Sequence, residues 1–102
     1  MPTFENVTVI KKANVFFDGK CVSHTVLLPD GTRKSVGVIL PSTLTFDVQT
    51  REIMEVVAGH AVVRVGQGEL RGYGPGESWD VPPGSSFTVT ASEPLHYICH
   101  FE

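Results

Sequence analysis

The sequence predicts an all-β fold of short antiparallel strands in one small domain. Its 102 residues include fifteen valines and nine threonines but only six leucines and four alanines. β-branched side chains lose rotamer freedom in helices and pack well on a pleated sheet. Ten glycines and seven prolines divide the chain into short runs, and no run shows a sustained helical period of apolar residues. Short strands between frequent turn signals are typical of a sandwich or barrel.

Turn residues mark out the strands along the chain. The predicted strands are Phe4–Ile10, Asn14–Phe17, Lys20–Leu28, Arg33–Leu40, Thr43–Gln49, Arg51–Val57, Ala61–Val65, Ser78–Val81, Phe87–Ala91 and Leu95–Phe101. Asp18-Gly19 closes the second strand, and Pro29-Asp30-Gly31 predicts a tight hairpin between the third and fourth. The later strands are separated by Gly59, Gly66-Gln67-Gly68, Gly74-Pro75-Gly76 and Pro82-Pro83-Gly84.

Charge and composition exclude several classes of protein. The net charge of −3 and the pI near 5.7 lack the basic excess of nucleic-acid binders. No apolar run approaches the roughly 20 residues that cross a bilayer, and the first six residues do not resemble a signal peptide. Cys21 and Cys99 are too few for a disulfide scaffold. We therefore expect a cytoplasmic protein that binds neither nucleic acid nor membrane, with the cysteines buried as structural thiols rather than paired as a redox couple.

Glycine and proline spacing in the second half resembles the two cupin motifs. Glu52 precedes Gly59 by six intervening residues, and Gly76 is followed by five residues, Pro82-Pro83-Gly84, two more residues and Phe87. On this alignment Glu52 takes the glutamate position, and Thr45, Asp47 and Phe87 take the three histidine positions. The resemblance implies a jelly-roll barrel that lacks the imidazole donors suited to transition metals. A metal-dependent cupin oxygenase or isomerase is the weaker alternative.

Several segments, in order, are similar to the small pyrimidine/purine nucleoside phosphorylases. They are Ala13–Lys20, Ser35–Pro41, Glu52–Gly59, Tyr73–Pro82, Ser85–Phe87 and Tyr97–Phe101. The resemblance implies a cupin-fold enzyme that cleaves purine and pyrimidine nucleosides with inorganic phosphate and no other cofactor. The products would be a free base and α-D-ribose 1-phosphate. A non-catalytic cupin that binds a small ligand is the alternative, because one fold hosts many functions.

Phosphorolysis requires a cationic side chain that binds phosphate and a group that stabilises the positive charge developing on the ribose. Glu52 lies on a strand face with apolar residues, where a carboxylate is costly unless it is used or paired. We predict Glu52 as catalytic, with a surface ion pair as the alternative. Arg33, the second predicted catalytic residue, and Lys34 are candidates for phosphate binding, with a solvated charge pair after the turn as the alternative. Neighbouring strand residues face opposite sides, so at most one reaches a cavity, and Arg33 is preferred over Lys34 for its match to relatives.

A nucleobase binds well against a flat aromatic wall. Four aromatic residues and one histidine are predicted to bind substrate: Phe87, Tyr97, Trp79, Phe46 and His100. Phe87 is the preferred one, because a cupin ligand position points into the barrel. For the aromatic residues the alternative is ordinary core packing, and for His100 it is an exposed or interface position.

Two Cys/His pairs at a spacing of three residues, Cys21 with His24 and His96 with Cys99, do not predict a zinc site. Residues i and i+3 of a strand point to opposite faces and cannot share one ion.

The N-terminal strand, at about residues 1–12 of the single 1–102 domain, is predicted to contact a second copy, because small cupins often dimerise through edge strands. We expect a homodimer.

Overall fold

The computed structural model describes residues 2–102, which form eleven strands and one short 3-10 helix, η1 (Phe17–Gly19). The strands are β1 (Thr8–Val9), β2 (Asn14–Phe16), β3 (Cys21–Leu27), β4 (Arg33–Ile39), β5 (Ser42–Asp47), β6 (Glu52–Ala58), β7 (Ala61–Val65), β8 (Arg71–Tyr73), β9 (Ser78–Val81), β10 (Ser86–Ala91) and β11 (Leu95–Phe101). No helix in residues 2–102 is long and apolar enough to cross a membrane.

The strands make two antiparallel sheets. The larger sheet has the order β1-β3-β4-β11-β6-β9, with β2 pairing to β3 as well, and the smaller has the order β5-β10-β7-β8. The β3–β4 hairpin forms as predicted, with Gly31 at a φ of 86° in its turn, a conformation that glycine adopts without strain. The sequence-based prediction of an all-β fold is therefore confirmed.

Side-chain alternation places the core between the sheets. In β11, Leu95, Tyr97 and Cys99 are buried and His96 is exposed, as expected for a strand that faces the core on one side. The packed cluster comprises Cys21, Ile39, Leu44, Val48, Met54, Val56, Ala61, Val63, Trp79, Val81, Phe87, Val89, Ala91, Leu95, Tyr97 and Cys99. This packing brings β4, β6, β10 and β11 around one interior space.

Two predicted strand assignments differ from the structure. Of the predicted strand Phe4–Ile10, only Thr8–Val9 pairs with β3. Asn6 has a φ of 54°, which takes the backbone out of the extended region, so that no strand can run continuously through this residue. Strand β8, Arg71–Tyr73, was not predicted, because three residues with a central glycine give no alternating pattern.

Candidate functional site

A cavity of about 320 Å³ lies between the two sheets, within the size range of small-molecule sites, roughly 300–1,000 Å³. Its lining residues are Asn14, Phe16, Ser23, Thr25, Arg33, Ser35, Phe46, Asp47, Glu52, Met54, Phe87, Tyr97, Cys99 and Phe101. The structure thus brings together five of the predicted site residues: Glu52, Arg33, Phe87, Tyr97 and Phe46.

Glu52 is a half-buried carboxylate at the start of β6. Burial raises the pKa of Glu52, while a hydrogen bond from Cys99 and the charge of Arg33 act in the opposite direction. The Cys99 thiol donates to Glu52 Oε1 at 3.3 Å. Burial also raises the pKa of Cys99, so this side chain stays a neutral thiol that can donate its proton to the carboxylate.

Arg33 supplies positive charge at the rim of the cavity. It begins β4 and is exposed, and its guanidinium carbon lies 4.2 Å from the centre of the Phe101 ring. A guanidinium over an aromatic face is held by a cation–π interaction. Phe101 lies directly opposite Glu52 in the β6–β11 pairing. Strand β11 therefore positions both charged groups, through Cys99 and Phe101, neither of which was predicted as a site residue.

An aromatic wall forms the side of the cavity made by the smaller sheet. Phe46 and Phe87 are opposite each other in the β5–β10 pairing and stack with ring centres 5.1 Å apart and planes 17° apart. Phe17 meets Phe46 edge-on at 5.1 Å. Phe87 is almost fully buried, whereas Phe46 is only partly so. Phe46 therefore offers the more accessible ring.

Tyr97 and three neighbouring strands make the opposite, polar wall. The Tyr97 hydroxyl lies 3.3 Å from Cys21 Sγ, and burial raises the pKa of Tyr97, which keeps it a neutral phenol. Asn14 Nδ2 donates to Ser23 Oγ at 3.3 Å and to Thr25 Oγ1 at 3.2 Å. These hydroxyls were not predicted as site residues, although the alternation of Cys21, Ser23 and Thr25 along one predicted strand places them on one face.

Lys34 and His100 lie on the other side of the larger sheet. Lys34 Nζ donates to His100 Nδ1 at 2.7 Å, and His100 Nε2 donates to Glu55 Oε1 at 2.9 Å. His100 and Glu55 line a separate hollow of about 630 Å³ on the outer face. The prediction that Lys34 and His100 bind substrate does not fit a site inside the barrel, because their strand positions point away from Arg33 and Glu52.

Trp79 is also outside the cavity lining. It is 3% exposed and packs behind the aromatic wall, with its ring centre 5.8 Å from that of Phe87. Its indole N–H is buried and has no hydrogen-bond partner within the part of the chain that the structure describes. Trp79 thus packs behind the wall and does not line this cavity.

The cupin metal positions do not make a metal site here. Thr45 lies on the exposed face of β5, where its hydroxyl is 2.9 Å from that of Thr88. Its alignment with a histidine position that points into the barrel is therefore wrong. Phe87 places an aromatic ring at another of the three cupin histidine positions. Asp47 and Glu52 remain, and residues 2–102 contain no group of three His, Cys, Asp or Glu side chains placed to hold an ion. Two carboxylates without a third donor do not fit a transition metal.

In both Cys/His pairs considered above, the two side chains lie on opposite faces of their strand, as strand geometry requires. Cys21 is buried on the inner face of β3 and bonds to Tyr97, whereas His24 Nδ1 is 3.2 Å from the Ile10 carbonyl outside the barrel. On β11, Cys99 is buried while His96 is exposed.

Two antiparallel sheets enclose a cavity with aromatic, hydroxyl and charged walls, which defines a small β-barrel with an interior pocket. The fold is that of the cupins: an RmlC-like cupin from Shewanella frigidimarina superimposes with a TM-score of 0.71 at 15% identity, over 88% of this chain and 81% of that chain. A solved structure of a protein of unknown function from Acinetobacter sp. ADP1 is closer, with a TM-score of 0.96, 45% identity and 98% of each chain covered.

Sequence comparison identifies the family. Residues 11–101 match the family model described as pyrimidine/purine nucleoside phosphorylase. A curated relative of that name from Dechloromonas aromatica is 58% identical over 102 residues, covering 99% of both chains. The chain belongs to the pyrimidine/purine nucleoside phosphorylase family, which confirms the resemblance seen in its sequence segments.

Proposed function

We propose that this protein catalyses phosphorolysis of purine and pyrimidine nucleosides in the cavity between its sheets, releasing a free base and α-D-ribose 1-phosphate. Family membership along nearly the whole chain supports the reaction. The observation that carries the location is the convergence of Glu52 and Arg33 on one cavity that also exposes Phe46. A carboxylate, a guanidinium and an aromatic face match the ribose, the phosphate and the base.

Glu52 acts on the ribose. Breaking the bond between C1′ and the base nitrogen builds positive charge on the sugar ring. A carboxylate fixed beside that charge stabilises the transition state more strongly in a partly desolvated site than in water. The thiol of Cys99 holds one oxygen of Glu52, which leaves the other carboxylate oxygen to face the sugar.

Arg33 binds the attacking phosphate. A guanidinium holds two phosphate oxygens through parallel N–H donors, a geometry that lysine does not provide. A phosphate oxygen forms a bond to C1′ as the bond from C1′ to the base nitrogen breaks. The base leaves with the electron pair of that bond and takes a proton from water. Because the donor set at the cupin ligand positions does not fit a metal, we assign no step to one.

Phe46 and Phe87 hold the base. Stacking against an aromatic ring does not discriminate between bases, because every nucleobase presents a π-face. The partly exposed Phe46 ring is supported by Phe87, with ring centres 5.1 Å apart. A wall of this kind suits both purines and pyrimidines. Tyr97 adds a neutral hydroxyl near the polar wall, where it contacts Cys21.

The reaction is tested by incubating the purified protein with uridine, adenosine and inosine, with and without phosphate. We expect base release only with phosphate, and ribose 1-phosphate as the second product. Release without phosphate would show a hydrolase on the same scaffold. If no base is released but nucleosides bind saturably, the protein is a non-catalytic small-ligand-binding cupin.

The active form is proposed to be a homodimer that uses its N-terminal segment. Strand β1 lies at the edge of the larger sheet, and Val9 and Ile10 are 51% and 46% exposed. An edge strand with exposed apolar side chains is suited to pairing with another copy. Met1 of the predicted contact, residues 1–12, lies outside the described residues. Light scattering should give twice the 11.1 kDa chain mass, and a monomer at micromolar concentration would contradict the proposal.

The cytoplasm is the proposed compartment. Cys21 and Cys99 are both buried, free thiols, and Cys99 donates its proton to Glu52. Free thiols persist in a reducing compartment.

A further inference from the structure

Four small polar side chains form one continuous patch on the cavity wall, and the proposed roles of Glu52 and Phe46 do not use it. The patch consists of Asn14, Ser23, Thr25 and Ser35. Strand pairing brings them together, because Asn14 lies opposite Ser23 and Thr25 lies opposite Ser35. Ser23 and Ser35 are only 4% and 6% exposed. Buried hydroxyls at a cavity wall are costly unless they are hydrogen-bonded.

The hydrogen bonds that Asn14 donates within the patch leave a hydroxyl proton free to donate to a ligand. Asn14 Nδ2 donates to both Ser23 Oγ and Thr25 Oγ1. A hydroxyl that accepts a hydrogen bond still has its own O–H to donate. Thr25 therefore retains a donor at the cavity, and accepting from Asn14 strengthens that donor through hydrogen-bond cooperativity.

The charge distribution of the cavity favours an anion on this patch. Arg33 and Ser35 are two residues apart on β4 and face the cavity from the same side. The acidic residues Asp47 and Glu52 come from β5 and β6. Among the described lining residues, those on β2, β3 and β4 include no carboxylate. An anion placed on this side meets one cation and several neutral donors.

We propose that Asn14, Thr25 and Ser35 form, together with Arg33, the binding subsite for the inorganic phosphate that attacks the nucleoside. This assignment rests on the proposed phosphorolysis and adds a location for the co-substrate. The base then lies on the wall of Phe46 across the cavity, with the ribose between the two near Glu52. The subsite recognises a tetrahedral oxyanion through hydroxyl and amide donors and one guanidinium.

The test compares Thr25→Val with wild type in two measurements. The first is the KM for phosphate and the KM for uridine in the base-release assay. The second is the rise in melting temperature on adding inorganic phosphate without nucleoside, which reports binding independently of turnover. A hydrogen bond to an ionised group corresponds to about ten-fold or more in affinity. We expect the phosphate KM to rise by about that factor, the uridine KM to change less than about three-fold, and the thermal shift to shrink.

Three further variants control for folding and specificity. Thr43→Val removes a hydroxyl from the outer face, where Thr43 bonds to Thr90 at 3.0 Å, and should leave both measurements unchanged. Thr25→Ser keeps the hydroxyl and should restore phosphate binding. Asn14→Asp places a negative charge in the patch and should raise the phosphate KM even if Thr25→Val folds poorly.

The outcomes separate this subsite from the proposed reaction. If wild type releases base with phosphate but Thr25→Val and Asn14→Asp keep its phosphate KM, the subsite is wrong and the phosphorylase stands. A rise in the uridine KM alone would assign the patch to the ribose and overturn the subsite. If wild type releases no base with phosphate, the proposed reaction fails, and phosphate-dependent stabilisation that requires Thr25 would still identify an anion site.

Discussion

The Tyr97 side chain lies across Gly37, its partner on the neighbouring strand in the β4–β11 pairing. A Cβ on Gly37 would lie 2.8 Å from the Tyr97 hydroxyl oxygen and 2.7 Å from the Val22 carbonyl oxygen. The missing side chain lets the Tyr97 hydroxyl reach Cys21 Sγ at 3.3 Å. Glycine is therefore required at this position for space, since its φ is not in the left-handed region, and the polar wall of the cavity depends on it.

Gly37→Ala is expected to destabilise the protein and to raise the KM for nucleoside. The added methyl meets backbone at Val22 as well as the Tyr97 side chain, so the strands must move apart. Overpacking of this kind costs about 1–3 kcal/mol. Chemical denaturation measures the change in the free energy of unfolding. Tyr97→Phe, which removes one of the close contacts, should reduce the cost of Gly37→Ala; an equal cost in both backgrounds would argue against the crowding.

Removing the Cys99 thiol is expected to shift the pH dependence of turnover. Glu52 works as a carboxylate, so activity falls as the pH drops through its pKa. The hydrogen bond from Cys99 lowers the pKa of Glu52 against the effect of burial. Cys99→Ala loses that bond, so the pKa of Glu52 rises and the acid limb of the kcat/KM profile moves to higher pH.

Two other cysteine variants complete this measurement. Cys99→Ser keeps a donor and should hold the limb near its wild-type position. Cys21→Ala removes a thiol that contacts Tyr97 instead of Glu52, and it should leave the limb in place. An acid limb that does not move in Cys99→Ala would mean that the thiol does not act on Glu52.

Arg33→Met is expected to raise the KM for phosphate by about ten-fold or more, because a charge-assisted contact is lost. Phe101→Leu should raise it only a few-fold, since the cation–π contact at 4.2 Å orients Arg33 and is worth about 0.5–1 kcal/mol at an exposed site. Lys34→Met, which removes a neighbouring cation from the outer face, provides the control. Steady-state kinetics with varied phosphate distinguish the three, and an effect of Lys34→Met as large as that of Arg33→Met would contradict the assignment.

Trp79→Phe is expected to leave substrate affinity unchanged. Trp79 packs against Phe87 from behind and does not line the cavity. The substitution loses apolar contact, but it also removes a buried N–H that has no partner among residues 2–102. Leaving such a group unpaired costs about 1–3 kcal/mol. The two effects oppose each other, so thermal denaturation should show a small change. A several-fold increase in nucleoside KM would place Trp79 in the site.

The sequence predicts most of the fold because strand alternation and turn residues are local signals. Pro29-Asp30-Gly31 fixes the β3–β4 hairpin through turn chemistry. Strand β8 escapes prediction because Arg71-Gly72-Tyr73 has no alternating pattern, and Asn6 ends the extended N-terminal run through a positive φ that its residue type does not require.

The site is less predictable than the fold because it depends on register between distant strands. Glu52 is identifiable as a carboxylate on an apolar face. Its partner Cys99 is 47 residues away, and Asn14 meets Thr25 only through the pairing of β2 with β3. Lys34 is a plausible phosphate ligand by residue type, and only the face of β4 that it occupies separates it from Arg33.

The most direct test of the cavity as the active site is phosphate-dependent base release by Glu52→Gln, compared with Glu55→Gln. The two carboxylates lie three residues apart on β6, with Glu52 in the cavity and Glu55 hydrogen-bonded to His100 on the outer face. We expect Glu52→Gln to lose about 100-fold or more of its turnover number with an unchanged melting temperature, and Glu55→Gln to stay within about three-fold of wild type. Full activity in Glu52→Gln, or an equal loss in both variants, would contradict a reaction inside the barrel.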